Sequence, residues 1–217
     1  MKNRDYKQFA RGAFAHVYNR GNNKEKIFYD EEDYKAFLYR LSLALGFEIE
    51  ELSKHPMTQI PHSRVRIIGS KKGDFKLHAF CLMKNHFHLL LEQCSETPIY
   101  KPVSKLCTSY AMYINKKYGR VGHVFQDRFK SVLIESEPQL MWVSAYIHTN
   151  PIKSGHLKHP REYKWSSYKD YSSEKRGLPF VYTKMLASVF KNDFERAMSR
   201  VPLDTIDSEV NFRTSHP

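Results

Sequence analysis

His86 and His88 stand one residue apart in the run Leu82-Met83-Lys84-Asn85-His86-Phe87-His88-Leu89-Leu90-Leu91-Glu92. A strand points alternate side chains to one face and rises about 6.5 Å per two residues, so both imidazoles can reach one metal ion. Phe87, Leu89 and Leu91 then face the other way, into a core. A single histidine among apolar residues is ordinarily a packed core residue; two on one face, with Glu92 on that face as well, favour a metal site. Further along, Tyr146 and Asn150 are four residues apart in a helical pattern and share a face about one turn from each other. If that face meets the histidine pair, a phenol and a carboxamide oxygen arrive together. The chain has 14 tyrosines, and most helical tyrosines serve packing, so spacing alone does not select this one.

The elements that must position these groups are legible from periodicity and punctuation. Phe14 to Asn19 alternates as a strand and runs into the turn-rich Arg20-Gly21-Asn22-Asn23. Asp30 is suited to cap a helix with Glu31, Glu32 and Asp33 in its first turn and an apolar stripe of Tyr34, Phe37, Leu38, Leu41 and Leu45, stopped by Gly46. Residues 53–63 read as a loop. Arg64 to Ile68 and Phe75 to Met83 read as strands, and Lys84-Asn85 is a short turn that puts the histidines at the start of a central antiparallel strand. A second helix is expected over about 102–118, with Pro102 in its first turn and Gly119 at its end. A third begins near Ser136, spaced from Gln139 as in a capping box, and is expected to end around Asn150 because Pro151 restricts the residue before it. A last helical pattern covers about 183–199, and residues from about 203 onward show no periodicity.

Composition bounds what such a site can act on. The 217 residues, 41% of them hydrophobic, are enough for one globular core, and 35 Lys plus Arg against 23 Asp plus Glu leave a net charge of +12. The basic residues recur through the middle of the chain, among them Lys105, Lys116, Lys117, Arg120, Arg128 and Lys130. That excess favours a polyanionic partner, most simply nucleic-acid phosphates. Cys81, Cys94 and Cys107 have no short metal-type spacing and read as reduced core residues of a cytoplasmic protein. The first residues lack the apolar stretch of a signal peptide, and no apolar run approaches membrane-spanning length.

Several strings, in order, resemble one family. They are His16-Val17-Tyr18-Asn19-Arg20-Gly21-Asn22-Asn23; His78-Ala79-Phe80-Cys81-Leu82-Met83-Lys84-Asn85-His86-Phe87-His88-Leu89-Leu90; Gly122-His123-Val124-Phe125-Gln126-Asp127-Arg128-Phe129-Lys130-Ser131; Tyr146-Ile147-His148-Thr149-Asn150-Pro151-Ile152-Lys153-Ser154-Gly155; and Tyr163-Lys164-Trp165-Ser166-Ser167-Tyr168. Over residues 10 to 170 the chain is similar to the single-tyrosine HUH transposases, closest to the REP-associated tyrosine transposase branch. Lys84 stands where the family usually carries proline.

The resemblance implies an α+β fold: a ferredoxin-like (RRM-like) antiparallel sheet with helices packed on one face and the histidine pair on a central strand. A catalytic domain would cover 1–175 and a helical C-terminal extension 176–217. It implies cleavage and rejoining of single-stranded or hairpin DNA through a covalent 5'-phosphotyrosine, with a divalent metal, Mg or Mn. His86 and His88 match the metal-binding histidines and Tyr146 the nucleophile; Asn150 occupies the position from which the third ligand can come. Arg20, Asn22, Gln126, Arg128 and Lys130 are candidate DNA contacts. Tyr163, Trp165 and Tyr168 can stack on unpaired bases, with core packing the expected role for most of them, and His123 and His148 are not expected to ligate the ion. The resembled proteins act as monomers or homodimers.

Two rival readings compete. His86, His88 and Glu92 have the His-x-His-x-x-x-Glu spacing of cupin-like metalloproteins, which would require an almost wholly β chain. A non-catalytic nucleic-acid-binding module would keep the sheet and the basic surface and dispense with the chemistry.

Overall fold

The computed structural model describes residues 9–48, 50, 56–58, 69–153, 155, 157–172 and 177–190. The expected strand at 64–68, most of the 53–63 loop, the end of the 183–199 helix and the tail from 203 lie outside the described residues. Four strands, β1 (Phe14–Arg20), β2 (Phe75–Met83), β3 (His86–Gln93) and β4 (Lys130–Ile134), form one sheet in the order β2-β3-β1-β4. All three neighbouring pairs are antiparallel. Helix α1 (Glu31–Ala44) connects β1 to β2, and α2 (Tyr100–Tyr118) connects β3 to β4. This β-α-β-β-α-β order is the ferredoxin-like arrangement. An α+β fold of this kind removes the cupin reading.

Alternation decides which side of the sheet each helix covers. Val17, Phe87, Leu89 and Leu91 face α1 and α2, whose Phe37, Leu38, Leu41, Leu106, Tyr110 and Ile114 complete a buried core. The start of α1 and the end of α2 follow their sequence signals, while α2 begins at Tyr100 with no side-chain cap. Asp30 accepts a hydrogen bond from the Asp33 amide at 3.0 Å while Asp33 reaches back to the Asp30 amide, a complete capping box. Gly119 closes α2 at φ +59°, a left-handed conformation that glycine adopts without a Cβ penalty.

The histidine face is covered too, by a third helix, α3 (Glu137–Lys153). Its Leu140, Val143, Ala145 and Ile147 pack with Ala79, Cys81, Leu90 and Ile134 in a second buried cluster. Two details differ from the sequence expectation. The Gln139 side chain accepts from the amide of Glu135, one residue before Ser136, while Ser136 Oγ still accepts from the Gln139 amide. The helix also continues through Pro151 to Lys153 instead of ending at Asn150. In the last turn, proline forfeits only the bond to the carbonyl four residues back.

The outer edge of β2 is occupied by the chain that follows α3. Leu82 donates to the Trp165 carbonyl at 2.9 Å, Ser167 donates to Phe80 at 3.0 Å, and Tyr182 donates to Leu77 at 2.8 Å. Tyr163 Oη donates to the Leu82 carbonyl, and Tyr171 Oη to that of His78. Trp165, Tyr168, Leu178 and Phe180 are buried, so the expectation that Tyr163, Trp165 and Tyr168 serve packing agrees with where they lie. The short helices α4 (Tyr168–Ser172) and α5 (Lys184–Val189) belong to this covering. Among the described residues no helix is long and apolar enough to cross a membrane.

Candidate metal and nucleophile site

The site forms where β3, β1 and α3 meet. In the register His88 lies opposite Tyr18 and His86 opposite Arg20, so the histidine pair and three β1 side chains, His16, Tyr18 and Arg20, share one sheet face. The rings of His86 and His88 are 5.0 Å apart and nearly perpendicular. From α3, the Tyr146 ring centres 5.2 Å from His88 and 5.9 Å from His16. Asn150 Oδ1 lies 3.1 Å from His86 Nε2. The four residues singled out from the sequence, His86, His88, Tyr146 and Asn150, therefore converge.

Hydrogen bonding sets which ring nitrogens are presented. Asn85 Nδ2 donates to the Lys24 carbonyl, which turns its Oδ1 toward His86 Nδ1 at 2.7 Å. His86 therefore carries its proton on Nδ1, leaving Nε2 basic and facing the Asn150 oxygen. Two acceptors 3.1 Å apart repel each other unless a proton or cation lies between them, and about 3 Å is the separation of neighbouring ligands around a hard cation bound at roughly 2.1 Å. His88 shares a 2.9 Å hydrogen bond from Nδ1 to His16 Nε2, and its own Nε2 is buried without a partner. A buried polar atom left unpaired costs about 1–3 kcal/mol; here it is an imidazole nitrogen, the type of atom that metals take when it is unprotonated. The residues present fit a divalent ion held by His86, His88 and the Asn150 oxygen. Among the described residues no group of three or more His, Cys, Asp and Glu side chains is placed to hold an ion.

Glu92 is not part of this group, although it shares the face. It accepts from His78 Nε2 at 2.9 Å and lies 3.3 Å from Lys76 Nζ, and these contacts, the His78 bond foremost, lower its pKa to about 2. His148, buried beneath α3, bonds to Ser167 Oγ at 2.9 Å, away from the pair. His123 is exposed on the loop before β4. The residue that sequence reasoning missed is His16. Its pairing with His88 across 72 positions needs the strand register, and the only signal available was its parity with Tyr18 and Arg20.

Burial holds the imidazoles neutral. The pKa of His16 falls to about 3, that of His88 falls well below the usual value, and that of His86 falls less because its bond to Asn150 opposes burial. His148 likewise falls to about 3. The unfolded chain takes up protons at these positions below the ordinary value of 6.5, whereas the folded chain does not. Stability from these groups is thus unchanged above pH 6.5 and falls as pH drops toward 3, by up to about 1.4 kcal/mol per pH unit for each group. The depressed carboxyl of Glu92 adds a further loss between pH 4.5 and 2. Urea midpoints should decline steadily from pH 7 to 4; a flat profile would contradict neutral burial.

The five candidate DNA contacts gather at the His86 end of the sheet. Arg20, Asn22, Gln126, Arg128 and Lys130 are all exposed. The loop before β4 is stitched to the end of β1 by Asn22 N to Val124 O at 2.9 Å and Gln126 N to Arg20 O at 2.9 Å. Asn19 Nδ2 adds a 3.1 Å bond to the Asp127 carbonyl. Gly21 makes this junction close, because a Cβ there would strike the Glu25 carbonyl and Ile27.

The fold and the site define a ferredoxin-like α+β domain that places a histidine pair, a helical tyrosine and a basic rim together. Residues 52–150, which carry His86, His88, Tyr146 and Asn150, match the family described as Transposase IS200 like. A solved structure titled as a REP-associated tyrosine transposase bound to a REP hairpin is similar at a TM-score of 0.49 and 16% identity, covering 84% of this chain and 92% of that one. No curated protein matches the chain.

Proposed function

We propose that the protein is a metal-dependent transposase and endonuclease for single-stranded DNA, cutting and rejoining strands at hairpin or palindromic repeats through a 5'-phosphotyrosine on Tyr146. The observation that carries this reading is the contact between the Tyr146 ring and His88, whose buried Nε2 has no protein partner. Every part comes from one chain, so the reading requires no second copy.

In the proposed reaction the Tyr146 phenolic oxygen attacks the scissile phosphorus and gives up its proton. The new P–O(Tyr) bond forms as the bond to the 3' oxygen breaks, and that oxygen leaves as a 3'-hydroxyl once protonated. A bound divalent ion, Mg or Mn, would neutralise charge on the phosphate oxygens. Lys153, whose Nζ lies 5.3 Å from the centre of the Tyr146 ring, adds positive potential near a phenol whose ordinary pKa is about 10. Because the diester energy is kept in the phosphotyrosine, a 3'-hydroxyl can attack it and reverse the step without ATP. Strand transfer, and so transposition and recombination, follows from that reversibility.

The test is incubation of the whole chain with labelled single-stranded hairpin DNA and Mg²⁺ or Mn²⁺. A covalent adduct that requires the metal is expected. Binding of cognate DNA with no adduct under any divalent ion would favour a non-catalytic nucleic-acid-binding module.

His16 acts in this reading as a positioning residue, because the Nδ1 proton it accepts leaves His88 Nε2 as the ligating nitrogen. His16→Leu is expected to weaken Mn²⁺ binding by roughly ten- to a hundredfold in a calorimetric titration. Unchanged affinity would assign His16 to packing alone.

A further inference from the structure

Helix α3 covers only part of the histidine face. The helix packs against β2 and β3, and near its end Asn150 touches His86 on β3, so it leaves the β1 and β4 side of this face. The corner it leaves, across β1 and β4, is formed by Tyr18, Arg20, Lys130 and Val132. Tyr18 lies opposite His88 on one side and Lys130 on the other, and Val132 lies opposite His16. Side chains directly opposite each other in antiparallel strands share a face, as the 5.8 Å separation of the Tyr18 and His88 rings bears out. Tyr18 and Val132 are half-buried, whereas Arg20 and Lys130 are exposed.

We propose that this corner is where an unpaired stretch of single-stranded DNA lies, with a base stacked on Tyr18 and neighbouring phosphates against Arg20 and Lys130. The inference rests on the function proposed above and names the path by which the strand approaches Tyr146. A half-exposed aromatic ring with one exposed cation along its own strand and another across from it on β4, on an open sheet face, suits an unpaired base beside phosphates. The ring is held firmly: it stacks on His16 at 5.0 Å. Burial and the nearby Tyr146 raise the Tyr18 phenol to about 12, so it remains neutral and does not repel phosphate. A packing role alone would not call for two exposed cations beside the ring at the lip of the site.

The test uses the full chain in chelator, so that no cleavage occurs, with a short single-stranded DNA carrying 2-aminopurine. Binding to the parent should quench the fluorescent base. Tyr18→Leu should remove the quench and weaken binding roughly fivefold or more, and Tyr18→Trp should keep both. Lys130→Gln, at an exposed position where folding is not at risk, should lower the slope of log affinity against log salt by about 0.7, the value for one phosphate contact on a single strand. Parent-like quench and affinity in Tyr18→Leu, or an unchanged salt slope in Lys130→Gln, would overturn the proposal. Either result alongside a metal-dependent adduct on the parent would leave the proposed function standing without this path; a parent that neither binds DNA nor forms an adduct would remove both.

Discussion

Tyr146→Phe should abolish the covalent DNA adduct, slowing its formation by a thousandfold or more, while DNA binding in chelator remains within about twofold of the parent. The substitution removes one oxygen and keeps the ring. That ring is what packs against His88 and His16 and lies under Lys153, so the helix and the sheet face should stay as they are. A loss of adduct with folding and binding intact would then report the nucleophile and not the packing. Adduct formation at the parent rate would displace the nucleophile to another phenol, and Tyr18, across from His88 on the same face, would be the first to replace. Gel separation of protein-linked label, followed by peptide mapping, distinguishes the two.

His88→Ala should eliminate the stabilisation that Mn²⁺ gives the parent. An ion at a hundred times its dissociation constant adds about 2.7 kcal/mol to a folded protein, which for a chain of this length raises the melting temperature by about 5–10 °C. Without His88 Nε2, two protein donors remain, and affinity should fall by more than about a hundredfold. The variant also leaves His16 Nε2 without its 2.9 Å partner and opens a cavity, so it will melt lower than the parent even in chelator. Comparing each protein with and without Mn²⁺ separates that structural cost from the lost ion. Parent and variant shifting equally with the metal would place the ion elsewhere.

What could be read in advance divides along a physical line. Local signals carried the elements: the Asp30 cap, the Gly119 stop, the Lys84-Asn85 turn and the alternation of β3 each depend on residues within a turn or two of one another. The parity of His86 and His88 and the one-turn spacing of Tyr146 and Asn150 placed each pair on a face for the same reason. Which faces would meet was not a local matter. The His16–His88 bond, the placing of α3 over the histidine face and the engagement of Glu92 by His78 all join residues far apart in the chain. The stop expected at Pro151 failed because a proline in the last turn costs a helix only one backbone bond, and the restriction on the residue before it is a preference and not a bar. Family strings supplied the missing convergence of Tyr146 with the histidines, yet were silent on the bond between His16 and His88.

The stitching of Trp165, Ser167 and Tyr182 along β2 has a consequence for how the molecule behaves in company. A bare strand margin is an invitation to intermolecular pairing and fibril-like growth, and this one is already sealed by the chain's own backbone and tyrosine hydroxyls. Clipping the chain after α3 would unseal it, leaving a fragment that still contains every proposed catalytic group but is prone to clump.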